Sequence, residues 1–313
     1  MAKIGLIDVD GHNFPNLALM KISAYHKSIG DTVQWYNIFN DFDIVYKAKV
    51  FSFTNDYYEF INNSKEIIIG GTGYNKYNNY EHDNIQPDYQ LYQNASWYDN
   101  KTAYGFITRG CTRNCEWCIV PKKEGKIKPY MDIEEIAKDK KKVILMDNNI
   151  LASDFGLQQI EKIIKLGLKV DFNQGLDARI IAENNNIAIL LSKVKWLNYL
   201  RMSCDSEGMK EYVKKAIYLL RKYNCKPKQY FIYVLLKELN NSYERINFCK
   251  GLNLKAFAQP YRDFTRNQII PQWQLDMARY TNHKAIYFSI DFKKYQPRKN
   301  FCCKEYFKVT KTR

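Results

Sequence analysis

The sequence predicts an α/β protein with an N-terminal parallel sheet domain, a longer second run of alternating strands and helices, and a basic C-terminal extension. Three observations carry this reading. Short apolar runs bounded by turn residues alternate with stretches of helical period along most of the 313 residues. The alternation is interrupted once, by an Asn-, Tyr- and Asp-rich segment over 75–100. It then gives way to a segment from Arg266 to Arg313 that holds 11 Lys or Arg against 3 Asp or Glu. The expected divisions are therefore a sheet domain over 1–74, a linker over 75–100, a second domain over 101–262 and a basic extension over 263–313.

The elements follow in order. Ile4 to Val9 is an apolar run that reads as a strand. Pro15 opens a helix at a position where its missing N–H costs nothing, with Leu17, Met20 and Ala24 on one face and Gly30 as the stop. Thr32 to Tyr36 is a second strand and Ile44 to Phe53 a third strand region. A helical stretch is expected from Asn55, followed by a strand over Glu66 to Ile69 that ends in Gly70-Gly71. This order is that of a Rossmann-like parallel sheet, whose ligands sit beyond the carboxyl ends of the strands.

After the linker the pattern restarts. Thr102 to Thr108 is a strand that delivers a cysteine-rich loop, and Asp132 with Glu135 forms a capping box for the next helix. Strands follow at Val143–Met146, Val170–Phe172, Trp196–Met202, Gln229–Leu235 and Leu254–Ala258. Helical patterns carry Leu157, Ile160 and Ile164 on one face, then run near Gly208–Lys222 and Ser242–Lys250. Counted from Thr102, the second domain has six strands with their crossovers.

Composition narrows the function classes. A hydrophobic fraction of 46% is ample for a packed core. No stretch approaches the roughly 18 apolar residues of a membrane span, and MAKIGLIDVDG runs straight into a strand pattern without the architecture of a signal peptide. A cytoplasmic protein without membrane association is expected, and 8 cysteines in such a chain fit a reducing compartment better than a disulfide framework. The formal charge of +15, with net +8 after residue 265, fits a polyanionic partner such as RNA or DNA. Lys, Asn, Ile and Tyr are all abundant, so an AT-rich coding sequence accounts for part of that lysine load.

The most informative segment is Arg109-Gly110-Cys111-Thr112-Arg113-Asn114-Cys115-Glu116-Trp117-Cys118. CxxxCxxC supplies three thiolates from one tight loop, enough for three irons of a [4Fe-4S] cluster whose fourth iron then lacks a protein ligand. A zinc site is the plain alternative, but zinc closes with four ligands. The other cysteines (Cys204, Cys225, Cys249, Cys302, Cys303) and the four histidines (His12, His26, His82, His283) are scattered. The loop, with Trp117 just before its third cysteine, resembles that of radical S-adenosylmethionine (SAM) enzymes. The resemblance implies a [4Fe-4S] cluster on Cys111, Cys115 and Cys118, and SAM bound at the open iron. It also implies a reducing partner such as flavodoxin or ferredoxin, and a partial (β/α)6 TIM-type barrel with its site at the carboxyl ends of the strands. Phe14 to Tyr36 and Ile67-Ile68-Ile69-Gly70-Gly71 resemble the cobalamin-binding-like N-terminal domain of a subgroup found in bacteria and their phages. Cobalamin itself lacks support from an axial histidine motif: Asp10-Gly11-His12 is not DxHxxG, and His12 reads as an ordinary loop residue.

The strand ends of the second domain offer the remaining candidates. Asp147-Asn148-Asn149 follows the second strand, where the family places groups that bind the SAM amino group; an Asx turn is the plain alternative. Arg179, after the third strand, reads either as a donor to the SAM carboxylate or as the partner of Asp177, and Gly175 lets a ligand approach the backbone. Asp205, in Ser203-Cys204-Asp205-Ser206, stands where many relatives have a Gly-x-Glu-Ser run. That position implies contact with SAM ribose hydroxyls, while Cys204 reads as a packed thiol. Trp273, Arg279, Asn282 and His283 read either as a nucleotide-binding surface or as a capping helix. Cys302-Cys303 alone is too little for an auxiliary cluster.

Two functions follow. In the first, a radical SAM enzyme generates a 5'-deoxyadenosyl radical to modify a substrate, with nucleic acid favoured by charge. The loop resembles that of tRNA methylthiotransferases, but no cysteine precedes Cys111 to bind their auxiliary cluster, so the chemistry implied is another one. In the second, the chain is a non-catalytic nucleic-acid-binding protein whose cysteine loop carries a structural metal.

Overall fold

A strand at the centre of a parallel sheet is buried on both faces, so it reads as an unbroken apolar run, and Ile4 to Ile7 is such a run. A computed structural model describes residues 1–11, 13–58, 60–77, 83–263 and 269–308. The chain divides into two units, Met1–Thr102 and Ala103–Arg313. His12, His82 and Arg266 lie outside the described residues. The fold is mixed α/β with parallel sheets, and among the described residues no helix is long and apolar enough to cross a membrane.

The first unit runs β1 (Lys3–Asp8), α1 (Leu17–Ser28), β2 (Thr32–Trp35), β3 (Phe42–Ala48) and β4 (Ser64–Gly70). The strands are parallel in the order β2-β1-β3-β4. Asn16, one residue after Pro15, caps α1, its Oδ1 accepting from Leu19 N at 3.3 Å. The buried face of α1 carries Leu19, Met20, Ile22, Ser23 and His26, whereas Leu17 and Ala24 of the expected face are half-buried. Strand β3 stops at Ala48, short of the expected Phe53, because the Asp10 carboxylate gathers Val50 N, Phe51 N and the Thr54 hydroxyl into a turn.

Two expectations for this unit are corrected. No helix forms after Asn55 among the described residues. Asp56 instead accepts from Tyr58 N at 3.1 Å and from the Tyr74 hydroxyl at 2.5 Å, and pairs with Lys47 at 2.6 Å. Tyr57 and Phe60 are left 85% and 93% exposed, so the segment has no apolar stripe to bury. The described part of the expected linker is tied into the first unit. Asp88 takes the Ser23 hydroxyl at 2.7 Å and Lys27 at 2.6 Å, Trp35 Nε1 donates to Leu91 O, and Tyr92 is buried.

The second unit contains β5 (Thr102–Gly105), β6 (Thr108–Arg109), α2 (Val120–Lys123), β7 (Lys128–Pro129), α3 (Ile133–Ala137) and β8 (Lys142–Leu145). It continues through α4 (Asp154–Lys165), β9 (Lys169–Phe172), α5 (Ala178–Glu183), α6 (Asn185–Ser192), β10 (Lys195–Trp196) and β11 (Tyr199–Ser203). It ends with α7 (Met209–Lys222), β12 (Gln229–Leu236), α8 (Leu239–Gly251), β13 (Lys255–Pro260), α9 (Gln272–Asn282) and α10 (Lys284–Ser289). Two main sheets form, β10-β9-β8-β5 and the parallel β11-β12-β13. The expected strand Trp196–Met202 is split between them: Leu197 N donates to Val170 O at 2.8 Å on one side, and Lys228 N donates to Asn198 O at 2.9 Å on the other. Asp132 caps α3 through Glu134 N at 2.8 Å and also holds Gln159 and Lys162.

Alternation sorts the faces of the second sheet. Leu200, Met202, Ile232, Val234, Ala256 and Ala258 are buried in a core shared with α7 and α8. In register on the other face lie Arg201, Phe231 and Lys255, then Ser203, Tyr233 and Phe257. Arg201 pairs there with Asp171, and the rings of Phe231 and Phe257 stack at 5.6 Å.

The expected basic extension is, over its described part, a packed element. Met277, Tyr280, Tyr287, Phe292 and Cys303 join the core of this unit. Asn282 extends the ladder of β13: its Oδ1 accepts from Ala258 N at 2.8 Å and its Nδ2 donates to Ala258 O at 3.0 Å. This blunts a sheet edge that would otherwise present open backbone groups. Arg279 is exposed, Trp273 packs against the core and His283 Nδ1 caps α10, so the four residues singled out here share no single face. Cys303 is fully buried, its thiol pushed up to about 12, and Cys302 Sγ donates to Lys293 O, which leaves neither sulfur placed for a cluster.

Candidate cysteine-loop site

The cysteine loop hangs from a short antiparallel stem. The strand expected over Thr102 to Thr108 stops at Gly105, and beyond it Ile107 N, Thr108 N and the Thr108 hydroxyl all donate to the buried carboxylate of Asp147. The chain resumes as β6, which pairs with β7 in the register Thr108 to Pro129 and Arg109 to Lys128. Asp147 thus acts beneath the loop: burial pushes its carboxyl up to about 6 against those hydrogen bonds. Gly110 has φ 84°, and a side chain there would strike the carbonyls of Gly125 and Lys126 where the two arms of the loop cross.

Glu124 clamps the two arms together. Its carboxylate accepts from Arg109 Nη2 at 2.8 Å, Gly110 N at 2.9 Å and Asn148 Nδ2 at 2.8 Å. Asn148 is therefore a partner of the clamp. Cys111 N donates to Gly125 O at 3.2 Å, and Cys118 N donates to Cys115 O at 3.0 Å. The Cys111 sulfur accepts from Arg113 N at 3.3 Å and from Asn149 Nδ2 at 3.6 Å.

A second layer lies at the ends of β8, β9 and β11. Asp177 caps α5 and is almost wholly buried, accepting from Arg179 Nε at 2.7 Å, Arg113 Nε at 3.0 Å and Asn149 Nδ2 at 3.4 Å. Burial opposes its ionisation, but Arg179 and Arg113 hold its carboxyl below the usual range. Of the two sequence readings of Arg179, the pair with Asp177 is the one present, and its charge also reaches Cys115. Burial pushes the Cys115 thiol up and Arg179 pulls it back, with Cys111, Asp205 and Asp177 acting on the same sulfur. Asp205 itself accepts from Leu235 N at 2.8 Å, and burial raises its carboxyl. Cys204 is a fully buried thiol.

Trp117 is half-buried. Lys237 Nζ lies 5.1 Å from its ring centroid and 5.1 Å from that of Tyr261, and pairs with Glu116 at 3.2 Å. Sequence reading missed Arg113, Glu124 and Lys237, since an isolated Arg, Glu or Lys carries no local signal of the distant partner it meets.

Cys111, Cys115 and Cys118 bring three thiols to one loop, the donor type of an iron–sulfur cluster. Among the described residues no three His, Cys, Asp or Glu side chains converge to hold a metal ion. A cubane takes each thiolate on a different iron, so three separate sulfurs on one loop suit it better than a single closed zinc site. Two hydrogen-bond donors face the Cys111 sulfur, the kind of contact that tunes a cluster thiolate. Asn149 Oδ1 is buried without a partner, which leaves an acceptor for a donor that the described protein groups do not supply. Compared with known proteins, the chain matches no protein-family model and no curated protein.

Proposed function

We propose that the protein is a radical SAM enzyme. The observation that carries this reading is the stemmed CxxxCxxC loop, with the orphaned acceptor of Asn149 and the Asp177–Arg179 pair beside its sulfurs. Cys111, Cys115 and Cys118 would hold a [4Fe-4S] cluster, and Trp117, Asn148, Asn149, Arg179 and Asp205 are the residues that would contact SAM. When bound, the cluster and SAM together supply a 5'-deoxyadenosyl radical, with the electron coming from a flavodoxin or ferredoxin. Asp147 and Glu124 hold the backbone of the loop, and Asn149 Oδ1 would be an acceptor for the SAM ammonium group. In this reading β5, β8, β9, the split pair β10 and β11, β12 and β13 are the strands of a partial (β/α)6 barrel. The net charge of +15 favours RNA or DNA as the substrate. Cobalamin has no axial histidine motif to support it, and the reading does not depend on it.

Anaerobic reconstitution with iron and sulfide, followed by electron paramagnetic resonance with and without SAM and an assay for 5'-deoxyadenosine, tests it. The expected result is a cluster signal perturbed by SAM, deoxyadenosine formation, and loss of both in Cys115→Ala. A tightly held zinc ion with no response to SAM would overturn it in favour of a structural-metal protein.

A further inference from the structure

A cleft of about 510 Å³ opens at the carboxyl ends of β1 and β2, lined entirely by residues of the first unit. Small-molecule sites fall in the range of roughly 300–1,000 Å³, and in open parallel sheets they lie beyond these strand ends. Among the described residues its lining combines ring surface with one carboxylate: Trp35, Tyr36, Tyr58 and Tyr92 beside Asp8.

Asp8 is the distinctive group. It is partly buried and forms no ion pair among the described residues. Tyr92 fixes its orientation: the hydroxyl accepts from Asn16 N at 3.1 Å and donates to Asp8 Oδ2 at 2.7 Å. Asn16 Nδ2 reaches Oδ1 at 3.5 Å. Gly11 N also faces the carboxylate and burial raises its carboxyl, but three donors leave part of the roughly four lone-pair sites of a carboxylate open toward the aromatic cleft. Among the described residues Lys27 is the one cation lining the cleft, and it is committed to Asp88 at 2.6 Å.

We infer that this cleft binds a guanine base, its N1–H and exocyclic N2–H donating to the two oxygens of Asp8 and its ring lying against Trp35 and the neighbouring tyrosines. Of the common bases only guanine presents two adjacent donors on its Watson–Crick edge. Adenine and cytosine pair an amino donor with a ring acceptor, which would meet the carboxylate with a lone pair. Amide side chains at the rim, Gln90 and Gln93, provide N–H donors for the guanine O6. The inference is independent of the cysteine-loop reading, because the site lies wholly within the first unit and needs neither cluster nor reductant.

Titration of the full-length protein with guanosine, adenosine, cytidine and uridine, by calorimetry and by tryptophan fluorescence, tests it. Guanosine should bind about tenfold or more tightly than the other three. Asp8→Asn should lose guanosine by a similar factor and gain xanthosine, whose N1–H donor and O2 acceptor match a carboxamide; a merely unfolded variant would gain nothing. Trp35→Phe should keep binding and lose most of the quenching. A single-stranded oligonucleotide with one central guanine, run beside guanosine, identifies the source: tighter oligonucleotide binding makes the ligand a base within a strand, and equal affinity makes it a free nucleoside. Equal binding of all four nucleosides, no guanosine binding, or an Asp8→Asn variant with unchanged preference would each overturn the proposal.

Discussion

The two units bury their parallel strands in opposite ways. In the second, one continuous core runs from Ala103 to Cys303 and takes residues from nearly every helix. In the first, the sheet divides a much smaller core: Ile4, Leu6, Leu19, Ile22 and Ala48 lie on the α1 side, and Ile7, Phe42 and Val45 on the other. Of the described connections in the first unit only that between β1 and β2 carries an α-helix, so β4 is left with Ile67, Ile68 and Ile69 at 44%, 37% and 42% exposure. The same apolar run therefore means core in one unit and surface in the other. What decides is whether a helix returns across the strand.

The sharpest way to break this comparison is to remove a core group from the element that looked least like core. Tyr280 in α9 is fully buried, its ring 5.3 Å from Phe292 and 5.7 Å from Tyr295, and its hydroxyl donates to Ile290 O at 2.8 Å. Tyr280→Ala should cost about 3–5 kcal/mol, read from urea unfolding of the full chain. A loss below about 1 kcal/mol would mean that the extension decorates the unit without belonging to its core.

Asp177→Ala should come next. It leaves Arg113 and Arg179 without their shared carboxylate and removes the cap of α5. Breaking a fully buried pair costs about 3–5 kcal/mol, but these guanidinium groups are 37% and 28% exposed and water screens them. A loss of about 2 kcal/mol is expected. The effect on the loop sharpens the reading: Arg113 N and Asn149 Nδ2 both serve the Cys111 sulfur, so the variant should also alkylate faster at Cys111 than the parent protein. Unchanged alkylation would separate the Asp177 network from the placement of the cysteines.

These contrasts mark what the sequence makes legible. Strands β1, β8, β9, β12 and β13 announce themselves by local apolar runs, and the three cysteines by spacing, because both signals lie within a few residues. The split of the fourth strand does not, since Leu197 and Asn198 are sorted by neighbours on either side, Val170 and Lys228. Composition misleads over 75–100: its Asn, Tyr and Asp read as a linker, yet Asp88 and Leu91 find partners on α1 and β2 some sixty residues away. The basic count over the last residues is real, but it hides the buried pair Met277 and Tyr280, which share one face of α9 at i, i+3 spacing. The site divides the same way. Its sulfurs are local, whereas Arg113 meets Asp177 across 64 residues and Lys237 meets Glu116 across 121.

The smallest expected effect is the most direct test of the comparison. Ile68→Thr keeps a β-branched side chain in β4, so strand preference is retained while apolar area is lost. Because Ile68 is already 37% exposed and β4 lies at the edge of its sheet, the hydroxyl meets water and no sealed cavity forms. The change in unfolding free energy should stay within about 0.5 kcal/mol, as for most surface substitutions. Ile232→Thr, the same change at a fully buried position of the central strand β12, is the matched reference and should cost several times more. If Ile68→Thr costs as much as Ile232→Thr, then β4 is covered in solution, and the contrast between a wrapped sheet and a half-wrapped one fails at its edge.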